Sequence, residues 1–592
     1  SNPQYNPLDP DVKLSDALDS YRTTAEKDSI KKIAQDYVQR TNISLLNVRK
    51  ERVGTTKKPM PWDVENFDLS GSYSTTNKRN IDLEYDNKLQ YRGGIGYNYS
   101  IQSPNIKPFS KFGLIQKGKA FQLLRDFNFY PLPRMFAFRT EINREYTERK
   151  LRIKSEGDII LPATYLKSFV WNRNYDFKYD LATSLKLEYN AVASAVVDER
   201  PGSVDHDDYG YTAQEKREYL LSQLGSFGRM NKYTQQVNVN YTIPINKLPY
   251  LDFLNATARY QGGYTWSATP LSQQEILGNT AENSNTIQLN GTVKFVTLYN
   301  QIPYLKRLNQ SQKSTQNRKP GAPKPGQNKP QPNVANNDST NKKPSVDYLK
   351  IIGEGAIRFA MMVRDATVSY SEQNGTLMPG LTPEPTYLGN NFNASTPGLG
   401  FVFGLQDEDL RYRAAQNGWI TQDTLFNGQY MTKYTTNLNF RATLEPFRDL
   451  KIDLTANRTM SKDHSEYFQS VNGYYESTSV IDRGSFTMSF LTIGTAFSGI
   501  GDDNSSSVFD DFKNYRLIIA QRLAAANPNY GNTIVDSTGF PTVYGPTSQE
   551  VLHYAFLAAY TGRSPGKVGL NPFPSFLIPK WRLTYKGLMA LE

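Results

Sequence analysis

Apolar and polar side chains alternate through RMFAFRTEINREY, residues 134 to 146. Phe136, Phe138, Thr140, Ile142 and Tyr146 fall on one parity; Ala137, Arg139, Glu141, Asn143 and Glu145 fall on the other. Successive side chains of a strand point to opposite faces, so this spelling predicts a long strand with one aromatic face and one charged face. The pattern returns. Phe169, Trp171, Tyr175, Phe177 and Tyr179 alternate with Asn172, Asn174, Asp176 and Lys178. After the short DLATS link, Leu185, Leu187, Tyr189, Ala191 and Ala193 alternate with Lys186, Glu188 and Asn190. Residues 237 to 243, 254 to 266, 287 to 295, 434 to 444 and 450 to 456 continue the series. Less regular candidates lie at 43 to 52, 65 to 75, 79 to 86, 88 to 101, 355 to 371 and 482 to 494. Together these make about fourteen strands.

The connections between them predict a topology. One class is short, with proline beside an aromatic or aliphatic residue: FYPLP at 129 to 133, INKLPYLDF at 245 to 253 and EPFRD at 445 to 449. The other is long and polar, as at 198 to 232, 267 to 283, 373 to 432 and 462 to 481. Short turns at one end and long loops at the other are the mark of an outer-membrane meander, with the short turns periplasmic. The expected fold is therefore all-β with helical insertions, part of a very large antiparallel transmembrane β-barrel of the outer membrane. In that fold Arg139, Glu141, Asn143, Glu145, Asn172, Asn174, Asp176, Lys178, Lys186 and Glu188 are candidates to face a water-filled lumen. Phe136, Phe138, Ile142, Tyr146, Phe169, Trp171, Tyr175, Phe177 and Tyr179 are candidates to face lipid.

Helical spellings interrupt the strands. Residues 26 to 40 read as a helix within an N-terminal segment, 1 to 42, that is periplasmic or lumenal. Strands and loops then fill 43 to 308. LYNQIPYLKRL at 298 to 308 has the short-turn spelling, so the Pro-, Asn- and Lys-rich tract at 309 to 347 is expected to leave on the periplasmic side as a disordered tether. Strands resume over 348 to 494. A helical periplasmic insertion follows at 495 to 580, with one helix from Ser507 to Ala526. A second helix is opened by an S/T-x-x-E box at Thr547 to Glu550 and stopped by Gly562. Residues 581 to 592 read as the start of the next barrel segment, truncated. Gln214 to Gln223 reads as a helix in an outer loop.

Composition fits the sheet. The 592 residues include 39 Tyr and 30 Phe, yet only 38% are hydrophobic. Only every second strand residue of a membrane barrel faces lipid, so overall polarity stays high while aromatics gather at the interfaces. No run of 18 apolar residues exists, which excludes a spanning helix. The opening SNPQYNPLDP carries no signal-peptide pattern and GLMALE ends abruptly, so an internal portion of a longer protein is expected. The formal net charge is +11, of which seven Lys or Arg against one acid between Asn309 and Ser345 supply +6. A charge excess gathered in a tether does not make a folded phosphate-binding surface, and nucleic acid is not expected as a partner.

Chemistry-bearing motifs are sparse. His206, His464 and His553 are far apart. DHDD at 205 to 208 offers oxygens to a hard cation but reads better as a solvated loop. GRSPGK at 562 to 567 is one residue short of a phosphate loop and has Val568 where Ser or Thr should hold magnesium. No catalytic, metal or cofactor site is expected, and no enzyme activity.

Several stretches resemble the SprA/Sov family, the outer-membrane translocon of the type IX secretion system in Bacteroidota. They are QYNPLDPDV near the start, NVRK at 47 to 50, QYRGG at 90 to 94, FNFYPLPRMFAFRTEINREY at 127 to 146 and YTIPINKLPYLDF at 241 to 253. FAMMVRDATVSYSEQNGTLMPG at 359 to 380, ATLEPFRDLKIDLTANR at 442 to 458 and the run from Leu552 to Leu588 complete the set. The resemblance implies a channel that passes folded cargo proteins with a C-terminal sorting domain from periplasm to cell surface. It also implies a PorV-type barrel partner, a periplasmic plug protein, outer-membrane lipid around the wall and a role in gliding motility. A substrate-specific outer-membrane transporter or porin and a soluble β-rich surface adhesin are the alternatives.

Overall fold

A computed structural model describes residues 3–51, 60–112, 121–153, 161–310, 348–447, 449–489, 494–527, 537–570 and 579–587. The expected tether lies almost wholly outside them. Near the start, β1 (Tyr5–Asn6) and β2 (Asp9–Lys13) form a small separate hairpin. The alternating segments then form one antiparallel sheet of 14 strands. In space as in sequence these are β3 (Tyr37–Val48), β4 (Phe67–Arg79), β5 (Leu83–Ser100), β6 (Met135–Leu151), β7 (Thr164–Ala182), β8 (Leu185–Val196) and β9 (Arg229–Ile243). β10 (Leu254–Ser267), β11 (Asn279–Lys294), β12 (Val363–Leu381), β13 (Gln429–Leu444), β14 (Leu450–Val471), β15 (Tyr474–Met488) and β16 (Lys580–Tyr585) follow. The sheet is open, with β3 at one edge.

The other edge is built in two pieces. β14 pairs with β16 over Leu450 to Thr455 and with β15 over Arg458 to Val471, and both partners run antiparallel to it. β15 and β16 therefore occupy one row and run the same way. The chain leaves that row at mid-height, makes the helical insertion, and returns to finish it. Because β16 resumes the row that β15 leaves, the insertion starts and ends beside the middle of β14. With β15 and β16 sharing a row, β3 and the far edge run in the same direction, so joining them directly would make a parallel seam.

Other expectations change with local geometry. The strand candidate at 79 to 86 contains a turn, where the Asn80 side chain accepts the N–H groups of Asp82 and Leu83 at 2.9 and 2.8 Å. Residues 355 to 360 belong to a helix, Tyr348–Ala360, since Ile352, Ala356 and Phe359 recur at helical spacing. The stretch at 298 to 308 is no simple turn but lies in two helices, Phe295–Gln301 and Pro303–Gln310. The supposed long loop at 462 to 481 is a hairpin turned by Asn472 and Gly473, whose φ values of 52° and 85° suit a tight two-residue turn. Polar residues on both faces had disguised those strand ends as loop. Turn lengths consequently do not segregate: 183–184, 244–253 and 445–449 share one end with the large insertion 295–362, while 80–82 and 472–473 lie at the other.

The expected helices form, with some starts and caps that differ from those read. Thr23 and Glu26 form a capping box that starts Thr24–Ala34, and β3 begins at Tyr37, inside the helix expected to reach residue 40. Thr212 and Glu215 likewise open Ala213–Gly225 in the loop before β9. The insertion contains Ser507–Ala526 and Gln549–Tyr560. Ser548 caps the second of these without a side-chain hydrogen bond, so the expected box does not form. Gly562, at φ 67°, ends it as expected. The two helices bury Ile519, Ala520 and Leu523 against Val551, Tyr554, Ala555 and Ala558.

His553 joins this unit to the sheet edge, its ring edge-on to Phe486 at 5.8 Å. Burial holds its pKa below the ordinary 6.5, and its Nε2 is buried without a hydrogen-bond partner. The unfolded chain takes up a proton near pH 6.5 while the folded unit resists it. Its contribution to stability is thus complete above pH 6.5 and is lost as the pH falls. Hydrogen exchange across 507–560 should be faster at pH 5 than at pH 7.5 after correction for intrinsic rates. In His553→Phe that difference should shrink; an unchanged difference would assign it to other groups.

Candidate functional site

The sheet register separates the two sets of candidate residues completely. Across β6 and β7, Arg139 faces Asn174 and Glu141 faces Asn172, while Phe136 faces Phe177, Phe138 faces Tyr175 and Ile142 faces Trp171. Lys178 then faces Glu188, Asp180 faces Lys186, and Tyr179 faces Leu187. All ten charged or amide candidates lie on one face and all nine aromatic or aliphatic candidates on the other.

The polar face is a lattice of short contacts. Arg139 bonds Glu141 at 2.5 Å and reaches Asp68 at 3.2 Å. Asp68 and Arg139 flank Gly96 in one register row, and a Cβ on Gly96 would collide with the Asp68 carboxylate. Glycine there is what lets the pair close across the intervening strand. Lys88 and Gln90 both hold Glu145, at 2.5 and 2.8 Å. Asn238, Asn240, Gln261, Gln288, Asn290, Ser371, Asn437, Asn439, Asn457 and Thr459 carry the polar character on by register to β14. Among the described residues no group of His, Asp or Glu is arranged to hold a metal ion.

The opposite face has two zones. Toward the 244–253 end it is apolar and open: Leu69 is 53% exposed, Ile95 48%, Phe136 43%, Leu289 44%, Val368 42% and Leu583 52%. On β9 the strip is Val237, Val239, Tyr241 and Ile243, and on β13 Leu438, Phe440, Ala442 and Leu444. Four alternate positions cover about 20 Å of strand at about 3.4 Å per residue. Toward the other end the same face is covered by loops.

The largest cover is the segment 382–428, a strap carrying the helices Leu399–Val402 and Leu410–Gln416. Phe401, Val402, Leu410, Ala414, Trp419, Ile420 and Phe426 bury themselves on Tyr233, Tyr264, Trp266, Ala281, Met378 and Tyr430 of the sheet. The strap backbone is also gripped directly. Gln235 donates to the Val402 carbonyl at 2.8 Å, Tyr260 to Phe403 at 2.6 Å and Asn285 to Gly404 at 2.7 Å. Asn283 donates to Phe401 and Leu405 at 3.2 and 2.9 Å. Gly262 permits this approach, since a Cβ there would lie 2.2 Å from the Phe403 oxygen. Farther along, Arg411 makes a 2.5 Å ion contact with buried Glu466 of β14, off the line of a hydrogen bond. Sequence reading missed Gln235, Asn283 and Asn285. Their signal was present, as amides on the parity that is otherwise apolar.

A second cover, 197–228, corrects part of the lipid-facing assignment. Tyr146 and Phe169 are only 5% and 6% exposed. Around them, Tyr165 bridges Tyr146 to Tyr209, Val197 donates to the Phe169 carbonyl, and Arg144 pairs with Glu199 at 2.7 Å. Trp171 packs on Phe227, and Tyr175 packs against the strap core. Protein, not lipid, meets Tyr146 and Phe169, and Trp171 and Tyr175 are covered in part. Phe136 and Ile142 remain exposed, with Phe138, Phe177 and Tyr179 partly so. The DHDD carboxylates serve this loop: Asp207 accepts the Ala213 N–H at 2.8 Å, and Asp208 takes Ser203 N–H and the buried Lys216 ammonium. Burial works to raise the Asp208 pKa, yet Lys216 and the Ser203 N–H outweigh it and hold the carboxyl below its ordinary value.

No family model matches the chain, and no curated protein matches it.

If the strap is seated by its backbone, two substitutions should loosen it without touching its sequence. Gly262→Ala should overpack the contact at a cost of about 1–3 kcal/mol. Gln235→Leu should strand the Val402 carbonyl at a similar cost. Both should accelerate proteolytic nicking within 382–428, while Gly291→Ala, where a Cβ meets open space, should not.

Proposed function

We propose that this chain is a portion of the wall of an outer-membrane β-barrel that conducts folded proteins from the periplasm to the cell surface, as in type IX secretion. One observation carries the membrane part of the reading. A single sheet of 14 strands exposes an apolar strip from β4 to β16 on one face, and its opposite face is predominantly polar. Water-soluble proteins rarely leave so extended an apolar surface open, whereas a barrel wall requires it. Strands β3 to β15, 12 to 22 residues long, exceed the roughly 9–11 needed to span a bilayer, while the six-residue β16 completes the row that β15 begins. The excess length is the loop-covered zone, which on this reading stands above the membrane.

The placement of the strap favours a wide conduit over an ordinary porin or transporter. Those narrow their lumen with loops or a plug held against the polar interior. Here each strap anchor named above lies on the apolar parity, which leaves the polar face clear for cargo. Closure by additional antiparallel strands requires an odd number of further rows, and none of the pairing present supplies them. Selection of cargo by a C-terminal sorting domain, a PorV-type neighbour, a periplasmic plug and a part in gliding rest on the sequence resemblance alone.

These 592 residues contain no cysteine, so the two faces can be tested by single cysteines once any cysteine elsewhere in the full-length protein is replaced. In intact outer membranes, a charged maleimide should label full-length protein carrying Asn174→Cys or Asn240→Cys and should spare Phe136→Cys and Leu289→Cys. Labelling of the second pair alone would reverse the assignment, and extraction of the protein by salt without detergent would refute a membrane wall. In planar bilayers, unplugged full-length protein should conduct well above an ordinary porin; conductance no larger would remove the folded-protein channel.

A further inference from the structure

A cavity of about 1090 Å³ lies on the apolar face, under the strap stretch 384–393 and beside the end of the Ala213–Gly225 helix. Phe136, Phe138, Tyr175 and Phe177 form its floor, and Phe227 and Leu388 close over it. Its mouth is open, with Phe136, Phe227 and Leu388 between 43% and 56% exposed. It sits where the exposed apolar strip gives way to the loop-covered zone.

One charge in this cavity is uncompensated. Arg173 shares a register row with Thr140 and Ala193 on the apolar face. Its guanidinium lies over the rings of Trp171 and Phe227, at 5.8 and 5.6 Å from their centroids. Its Nε is buried without a hydrogen-bond partner, and among the described residues no carboxylate pairs with it. The neighbouring charges are engaged elsewhere. Arg229 grips Asp198 at 3.1 and 3.3 Å, Glu384 accepts from Gln274 at 3.1 Å, and Asp176 belongs by register to the polar face. Two aromatic faces attract a cation but do not replace a counter-ion, so this partly exposed guanidinium, with its Nε buried and unpartnered, is open to an anion at the cavity.

We propose that this cavity binds an anionic lipid, with the headgroup on Arg173 and an acyl chain among Phe136, Phe138 and Phe177. Its volume matches that of a ligand site, and its position suits an amphiphile entering sideways from a bilayer. The proposal rests on the membrane reading for the source of the ligand. A free phosphate would satisfy Arg173 equally well but would leave the aromatic floor unused.

The test uses full-length protein extracted in detergent, with phosphatidic acid, diacylglycerol of the same chains and inorganic phosphate as probes, and retention read by native mass spectrometry. Phosphatidic acid should be retained, diacylglycerol should not, and millimolar phosphate should not displace the lipid. Arg173→Gln should weaken retention about tenfold or more, as loss of a charge-assisted contact does, and Arg173→Lys should keep most of it. Leu388→Glu, at an exposed position, should weaken it too and serves if the arginine variant misfolds. Equal retention of diacylglycerol, displacement by phosphate, or undiminished binding in Arg173→Gln would overturn the inference while leaving the membrane reading intact. Protein that is soluble without detergent would overturn the membrane reading, and the same three probes would still decide this site.

Discussion

Each interior strand of the sheet is hydrogen-bonded along both edges, and this pairing decides which way every side chain points. The side-chain period of a strand is two, so a slip of one residue between β6 and β7 would carry Arg139, Glu141 and Glu145 onto the face of Phe177 and Trp171. The contacts on each face resist that slip. The Asp68–Arg139–Glu141 lattice exists only if Gly96 lies between its partners, and the ring contacts of Phe138 with Tyr175 and of Phe67 with Tyr97 exist only in the same register. The two-faced character and the register are thus one property.

The loops extend that logic. A strand face that is apolar over its whole length would have to be buried over its whole length, by lipid or by protein. Here the apolar spelling of β9 is broken by Gln235 and that of β11 by Asn283 and Asn285. Those amides are where the strap backbone lies down. Together with the Tyr260 hydroxyl they satisfy consecutive carbonyls from Phe401 to Leu405, groups that could not be buried against aliphatic side chains without penalty. The change from aliphatic to amide along one parity therefore marks the height at which the cover changes. The cavity at Arg173 lies at that boundary.

Strand existence, strand direction and the division of residues between faces were legible because they depend on spacing within a few residues. Helices were legible near 26 to 40, at Gln214 to Gln223 and in the insertion, but the Thr23–Glu26 and Thr212–Glu215 boxes that start the first two went unread, and the box read at Thr547 does not form. Errors arose where a segment's role depends on a distant partner. Residues 462 to 481 look like loop because both parities are polar, and only pairing with β13 and between the two arms of the hairpin makes them strand. Tyr146 and Phe169 look like lipid-facing aromatics until the segment 197–209 is laid over them.

By itself the sequence determined a long meander of two-faced strands, with aromatics and charges assigned to opposite sides, since a period of two survives any tertiary arrangement. It also located the insertion helices and the absence of any helix able to span a bilayer. Tertiary structure alone decided that β15 and β16 complete one row, that the strap covers the apolar face and not the polar one, and that Arg173 meets no carboxylate among the described residues. Each of these depends on residues far apart in the chain meeting at one place, and no local pattern encodes such a meeting.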